Sequence, residues 1–290
     1  MNRPFSLASL ASCGAGLLAL ALVAGVNPTA HADENLFGFI RGAETLPKGH
    51  FDFYQTLTLR TSKDVGVYRG WDSDTEVEYG FTDKLQGSFS VANRYIYSRG
   101  GSDLEDTNHL TFGGVDGSLK YRILSPFKDG IGLAVRLETG WLLHDEVGGL
   151  LEHEIYVAPD IILQKNFLDD TLITELNFGG EWAWGKDPAE QYYKEWSMQG
   201  GVGISYRFAP KWFIGLEGHA RSEWPLFNFN QFEHVVVYAG PALHYGTERW
   251  WATLSYNYQV WGHGVDEVSR SSTFAEETKH EIRLKFGVNF

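Results

Sequence analysis

Asp74, Glu76 and Glu78 stand at i, i+2 and i+4 in the run Asp74-Thr75-Glu76-Val77-Glu78. In an extended chain that spacing puts three carboxylates on one face, in a stripe about 13 Å long at roughly 3.3 Å per residue. Like charges this close disfavour one another, so the stripe either attracts a cation or is neutralised by bases on adjacent elements. Arg60, Arg94 and Arg122 lie in neighbouring segments and are the expected neutralising partners. Without them, the stripe would favour cations over anions in any aqueous passage it lined.

The same alternation puts Arg136, Glu138, Glu217, Arg221 and Arg283 on the polar faces of later segments. Such groups either pair across strands and hold a wall together, or form a hydrated zone that selects a small polar solute. A second cluster, His144, Asp145, Glu146, Glu152, His153 and Glu154, crowds one connection. Imidazole with carboxylates is zinc-binding chemistry, which makes His144, Asp145 and His153 weak metal candidates. A solvated acidic loop is the plainer reading, and no metal site is assigned. A lipid hydrolase would need a serine beside a histidine that a third group orients. His280 is the well-placed outward histidine, but the outward residues of the preceding segment, Tyr258 and Val260, supply no serine. Phosphate loops, nucleotide fingerprints and paired cysteines are absent from the sequence, so neither an enzyme nor a cofactor is expected.

The elements that would carry these residues are strands. Alternating segments fall near 49–60, 70–80, 84–97, 109–123, 131–142, 152–164, 171–184, 195–208, 212–223, 233–245, 249–260 and 278–290. Their connections alternate strictly between tight turns, such as Phe81-Thr82-Asp83-Lys84 and Ala209-Pro210-Lys211, and longer ones, such as 98–108 and 261–277. That pattern predicts an all-β, twelve-stranded, antiparallel up-and-down transmembrane β-barrel, with ten and fourteen strands as alternatives. The apolar face holds Val77, Phe89, Leu137, Val202, Leu216 and Leu254, among others, and the polar face must point inward. An Arg or Lys in mid-hydrocarbon costs about 2–4 kcal/mol, so charge is expected to be refused at Val202 and Leu254 and accepted at Ser205 and Asn257. Pro159 and Pro241 interrupt two strands and predict bulges.

The termini give the expected address. Arg3, the apolar run 16–25 and Ala30-His31-Ala32 form a signal-peptide pattern over residues 1–32, too short to span a bilayer as a helix. Leu10-Ala11-Ser12-Cys13 is a competing lipoprotein box, which would leave the apolar run in the mature chain. Cleavage after Ala32 removes the single cysteine, and loss of Arg3 takes the formal charge from −13 to −14. An acidic, cysteine-free chain excludes disulfides and is a poor binder of nucleic acid. Aromatics at 15% suit interfacial girdles. Residues 33–48 then read as a periplasmic segment and 49–290 as the barrel.

The final stretch, Glu281 to Phe290, alternates without a miss and ends on an aromatic residue. It resembles the closing strand of Gram-negative outer-membrane barrels, in which the last residue is part of the assembly signal; that implies this role for Phe290. Tyr79-Gly80-Phe81-Thr82-Asp83-Lys84-Leu85 has counterparts around Tyr206 and Tyr245. This hairpin resembles those of outer-membrane barrels described as phenol-degradation-associated or uncharacterised transporters. The resemblance implies an outer-membrane location, with the bilayer, lipopolysaccharide and the assembly machinery as partners. It also implies a passive channel for a small hydrophilic or amphipathic solute whose identity the sequence does not give. A structural or adhesive barrel with a salt-bridged, closed lumen is the alternative.

Overall fold

The computed structural model describes residues 35–101, 104–265 and 277–290, so the expected signal peptide lies outside the described residues. Twelve strands among them form a closed, antiparallel barrel in which every strand pairs with its sequence neighbours and β1 pairs with β12. They are β1 (Phe51–Thr61), β2 (Val67–Thr82), β3 (Leu85–Arg99), β4 (Thr107–Leu124), β5 (Gly132–His144) and β6 (Leu151–Phe167). The second half comprises β7 (Leu172–Lys186), β8 (Tyr192–Ala209), β9 (Trp212–Pro225), β10 (His234–Gly246), β11 (Trp250–Gly264) and β12 (His280–Asn289). The strand count agrees with the alternation. Strands β2, β8 and β11 run three or four residues further at their loop ends than expected, because ladder pairing continues past the alternating stretch.

The face assignment follows the pleat. Val77, Phe89, Leu137, Val202, Leu216 and Leu254 stand exposed on the outside, whereas Glu76, Glu78, Glu175 and Glu217 are buried inside. The ring closes where Phe51 and Phe290 exchange backbone hydrogen bonds, at 3.1 Å and 2.9 Å. No sheet edge is left for a lipid environment to meet. Both predicted proline irregularities are present as gaps in one ladder. Ala158 and Pro159 drop out of the β6–β7 register, and Gly240 and Pro241 drop out of the β10–β11 register. Proline has no N–H to give, so the neighbouring strand loses its partner there.

Residues 35–48, expected as a segment preceding the barrel, run inside it, at the end carrying the tight turns. The physical reason is an apolar set that water would not hold. Leu36, Phe37 and Ile40 are at most 2% exposed and pack on Ile173, Ala242 and Phe213, while Ala43 packs on Ala134 and Ile162. Room for them comes from inward-facing glycines. A Cβ on Gly203 would come 2.6 Å from the Phe37 ring and one on Gly215 would come 2.9 Å from it, and one on Gly201 would overlap Ile40. The segment has no strand partner, so wall side chains satisfy its backbone. Glu217 accepts from Phe39 N–H at 2.9 Å, Asn177 from Arg41 at 2.7 Å, Gln164 from Ala43 at 2.8 Å and Gln86 from Leu46 at 2.7 Å.

Candidate functional site

The inside of the barrel is the candidate site, and the inserted segment divides its charges into groups. Next to the segment is the acid stripe. Glu76 and Glu78 both reach the Tyr54 hydroxyl from β2, Glu78 at 3.4 Å, and the Arg41 guanidinium of the segment faces all three groups. Lys285 adds its ammonium 5.2 Å from the Tyr54 ring. Asp74, one pleat further from the turns, lies between Asp72 and the guanidinium groups of Arg283 and Arg94.

The expected partners of this stripe are committed elsewhere. Arg122 pairs with Glu44 of the segment and donates to the Asp83 carbonyl at 2.7 Å. Arg60 pairs with Asp72 at 2.7 Å, and Arg94 pairs with Glu146 at 2.8 Å. Register explains the difference: Arg60 stands opposite Gly70 on β2, Arg94 opposite Asp72. Both arginines therefore lie toward the loop end of the stripe. The bases beside the stripe are Lys285 of β12 and Arg41 of the segment, and the second lies outside the strands, where strand-by-strand reasoning does not reach.

Glu217 and Arg283 also serve the inserted segment. Besides holding Phe39, Glu217 accepts from the Asn257 amide at 3.2 Å. Arg283 donates to Thr58 at 2.9 Å and to the Gly38 carbonyl at 3.2 Å, with its guanidinium 3.7 Å above the Phe39 ring. Arg136, by contrast, forms a wall cluster with Glu138 and with Asp160, the latter at 2.9 Å.

At the loop end the connection 145–150 folds inward. Asp145 accepts from the backbone of Val147, Gly148 and Leu150 at 2.6–2.9 Å, which curls the loop. Arg60 then binds the Glu146 carbonyl, Arg94 the His144 carbonyl and the Glu146 carboxylate, and Tyr68 the Val147 carbonyl at 2.9 Å. His109 contacts the Gly149 carbonyl at 3.0 Å. The loop is thus fastened to four consecutive strands, β1 to β4. Arg94, with Arg60 behind it, holds the Glu146 carboxyl below the usual carboxylate range although burial acts the other way.

The three metal candidates around that loop point to different partners. Asp145 caps its own loop, the His144 ring meets the Phe112 carbonyl at 2.7 Å, and His153 stacks on the outward Trp141. The three do not converge. His280 meets the Tyr256 hydroxyl at 2.9 Å and lies against the Tyr256 and Tyr258 rings, so a phenol stands where a hydrolase would need a serine.

Arg221 marks the remaining group. It pairs with Glu223 at 2.9 Å and with Glu277 at 2.7 Å, beside His234 at the start of β10. Of these, sequence reasoning singled out Arg221 alone as a site candidate. His234 and Glu277 lie at strand ends, where alternation carries no signal.

Solved structures with this architecture are outer-membrane barrels. The COG4313 outer membrane channel of Pseudomonas putida F1 superposes with a TM-score of 0.57 at 12% identity, covering 86% of this chain and 98% of that one. The beta domain of the Bordetella autotransporter BrkA gives 0.51 at 12% identity, covering 84% of this chain and 100% of that one. No relative is found among curated protein sequences. Residues 29–290 match the model of a family of unknown function, DUF6662, and with the whole barrel and its inserted segment inside that match, the chain belongs to this family.

Proposed function

We propose that the protein sits in the outer membrane as a passive channel for small hydrophilic or amphipathic solutes, with a preference for cations, and that residues 35–48 throttle its periplasmic half. The observation that carries this reading is the charge of the bore beyond the segment. Asp72, Asp74, Asp116, Glu138, Asp160, Glu181, Glu223 and Glu281 face it, against Arg60, Arg94, Arg136, Arg221 and Arg283. Charge of one sign lining a narrow bore raises the local concentration of the opposite ion. The likeness to a Pseudomonas putida outer membrane channel supports the same reading. A hydrophobic solute would find few apolar contacts along this route.

The buried segment itself favours a second reading, a barrel whose lumen stays closed and whose role is structural or adhesive. A cysteine lock separates the two. An ideal Cβ on Gly38 lies 3.0 Å from Ser255 Cβ, within about an ångström of the separation a disulfide needs. Gly38→Cys with Ser255→Cys, in protein lacking Cys13, is expected to conduct in planar bilayers when reduced and to lose most of that conductance when oxidised. Absence of steady conductance in both wild type and the reduced double variant would favour the closed barrel.

A further inference from the structure

We propose that Glu223, His234 and Glu277 form a binding site for a divalent transition-metal ion at the loop end of the bore. One ligand atom from each lies within 4.8 Å of the others. Acidic clusters alone are common, and the second observation is the histidine. His234 is only 3% exposed, and neither ring nitrogen makes a hydrogen bond. Both nitrogens nonetheless lie near carboxylates: Nε2 stands 3.4 Å from Glu277 Oε1 and Nδ1 stands 3.7 Å from Glu223 Oε2. A buried imidazole without a hydrogen bond is costly. Neither approach meets hydrogen-bond geometry, and the space between Nε2 and Glu277 Oε1 suits an ion bound through that one nitrogen. Two ligands about 2.1 Å from a tetrahedral zinc ion stand roughly 3.4 Å apart.

Further carboxylates lie alongside: Glu195 and Glu233 bring oxygens within 4.8 Å of that of Glu223. Arg221 bridges Glu223 and Glu277, and Lys63 acts on Glu277 from a distance. Each carboxylate still has lone pairs beyond those Arg221 takes, so the guanidinium orients the two ligands without consuming them. One imidazole nitrogen with two carboxylate oxygens is borderline donor chemistry, which selects zinc or cobalt over magnesium and calcium. The site stands apart from the conduction reading, because it needs only the folded barrel.

The test uses the full barrel folded in detergent micelles and titrated with zinc chloride in a calorimeter, then with cobalt chloride in a spectrophotometer. One ion per barrel is expected, with the visible bands of four- or five-coordinate cobalt and no displacement by a hundredfold excess of magnesium. His234→Gln, which keeps bulk and polarity, and Glu277→Gln should each weaken binding at least tenfold. Asp74→Asn, an acid elsewhere in the bore, should leave it unchanged. The proposal is overturned if zinc fails to bind, if His234→Gln binds as wild type does, or if magnesium competes equally, which would mean diffuse screening by acids.

Discussion

At the turn end of the bore, Phe37 and Ile40 fill hollows made by Gly201, Gly203 and Gly215; at the loop end, Arg60 and Arg94 hold the 145–150 connection by charge and backbone carbonyls. One half is closed by shape with ion pairs added, the other by ion pairs and carbonyl contacts without such packing. Shape-filling contacts are short-ranged and indifferent to salt or pH, and they fail when volume is added. Charged clamps tolerate added volume nearby but weaken with screening and protonation. The two ends of one passage should therefore answer to different perturbations.

The largest expected effect comes from placing arginine at three positions of a single strand. Val202→Arg puts charge on the lipid face and should block assembly, at a cost of about 2–4 kcal/mol. Ser205→Arg, expected from alternation alone to be harmless, should also fail, since Ser205 is 2% exposed and stands opposite Gly215 beneath the inserted segment. Gln199→Arg, inward but exposed at the loop end, should assemble normally. Heat-modifiable mobility on gels reads all three. Equal tolerance at 205 and 199 would remove the distinction between the two halves.

Next in size is Gly203→Val, whose side chain meets the Phe37 ring. Overpacking of this kind costs about 1–3 kcal/mol, which the unpaired segment is expected to relieve by leaving the bore. Limited proteolysis should then cleave within residues 35–48 while the strands survive. Protection equal to that of wild type would show that the hollow is not what seats the segment.

A smaller change is expected from Arg41→Gln. It leaves the apolar contacts in place and takes the guanidinium away from Tyr54, Glu76 and Glu78. Cation-to-anion permeability, from reversal potentials in a salt gradient, should rise several-fold. Adding Glu76→Gln and Glu78→Gln should cancel the rise; persistence of the rise would assign selectivity to other acids.

The least effect is expected from pH, chiefly at the loop end. The Glu146 carboxyl is held below its ordinary value near about 4.3. A depressed carboxylate contributes its stabilisation above the unfolded pKa and loses it as pH falls through the folded one. Protease access to 145–150 should therefore stay flat from about pH 5 to 8 and rise below about pH 4, and by more than access to 35–48, which apolar packing also holds. An equal rise at both segments would mean global loosening.

The wall was readable because period-2 alternation is enforced by the bilayer at every residue. Leu216 and Glu217, side by side in β9, differ from 62% to 3% exposure. The segment inside the wall obeys no such rule. Its clue was scattered, with Phe37 and Ile40 in a stretch expected to be solvated, and matching glycines more than 160 residues away. Arg60 and Arg94 were recognised as inward bases, but their partners depend on how a connection folds, which neither periodicity nor turn chemistry encodes. For the same reason the group around His234 joins three strands and the end of a long connection that look unrelated in sequence.

Arg41 is a counter-ion tied by a short leash to the wall it neutralises. Only residues 49 and 50 separate its segment from β1, so its effective concentration at Glu76 and Glu78 is of the order of millimolar or more and does not depend on dilution. A dissolved ion would have to reach comparable levels to displace it. In the proposed channel, Arg41 is thus a resident cation at these carboxylates. The channel's selectivity should shift with the ionic strength of the surroundings rather than with how much protein is present.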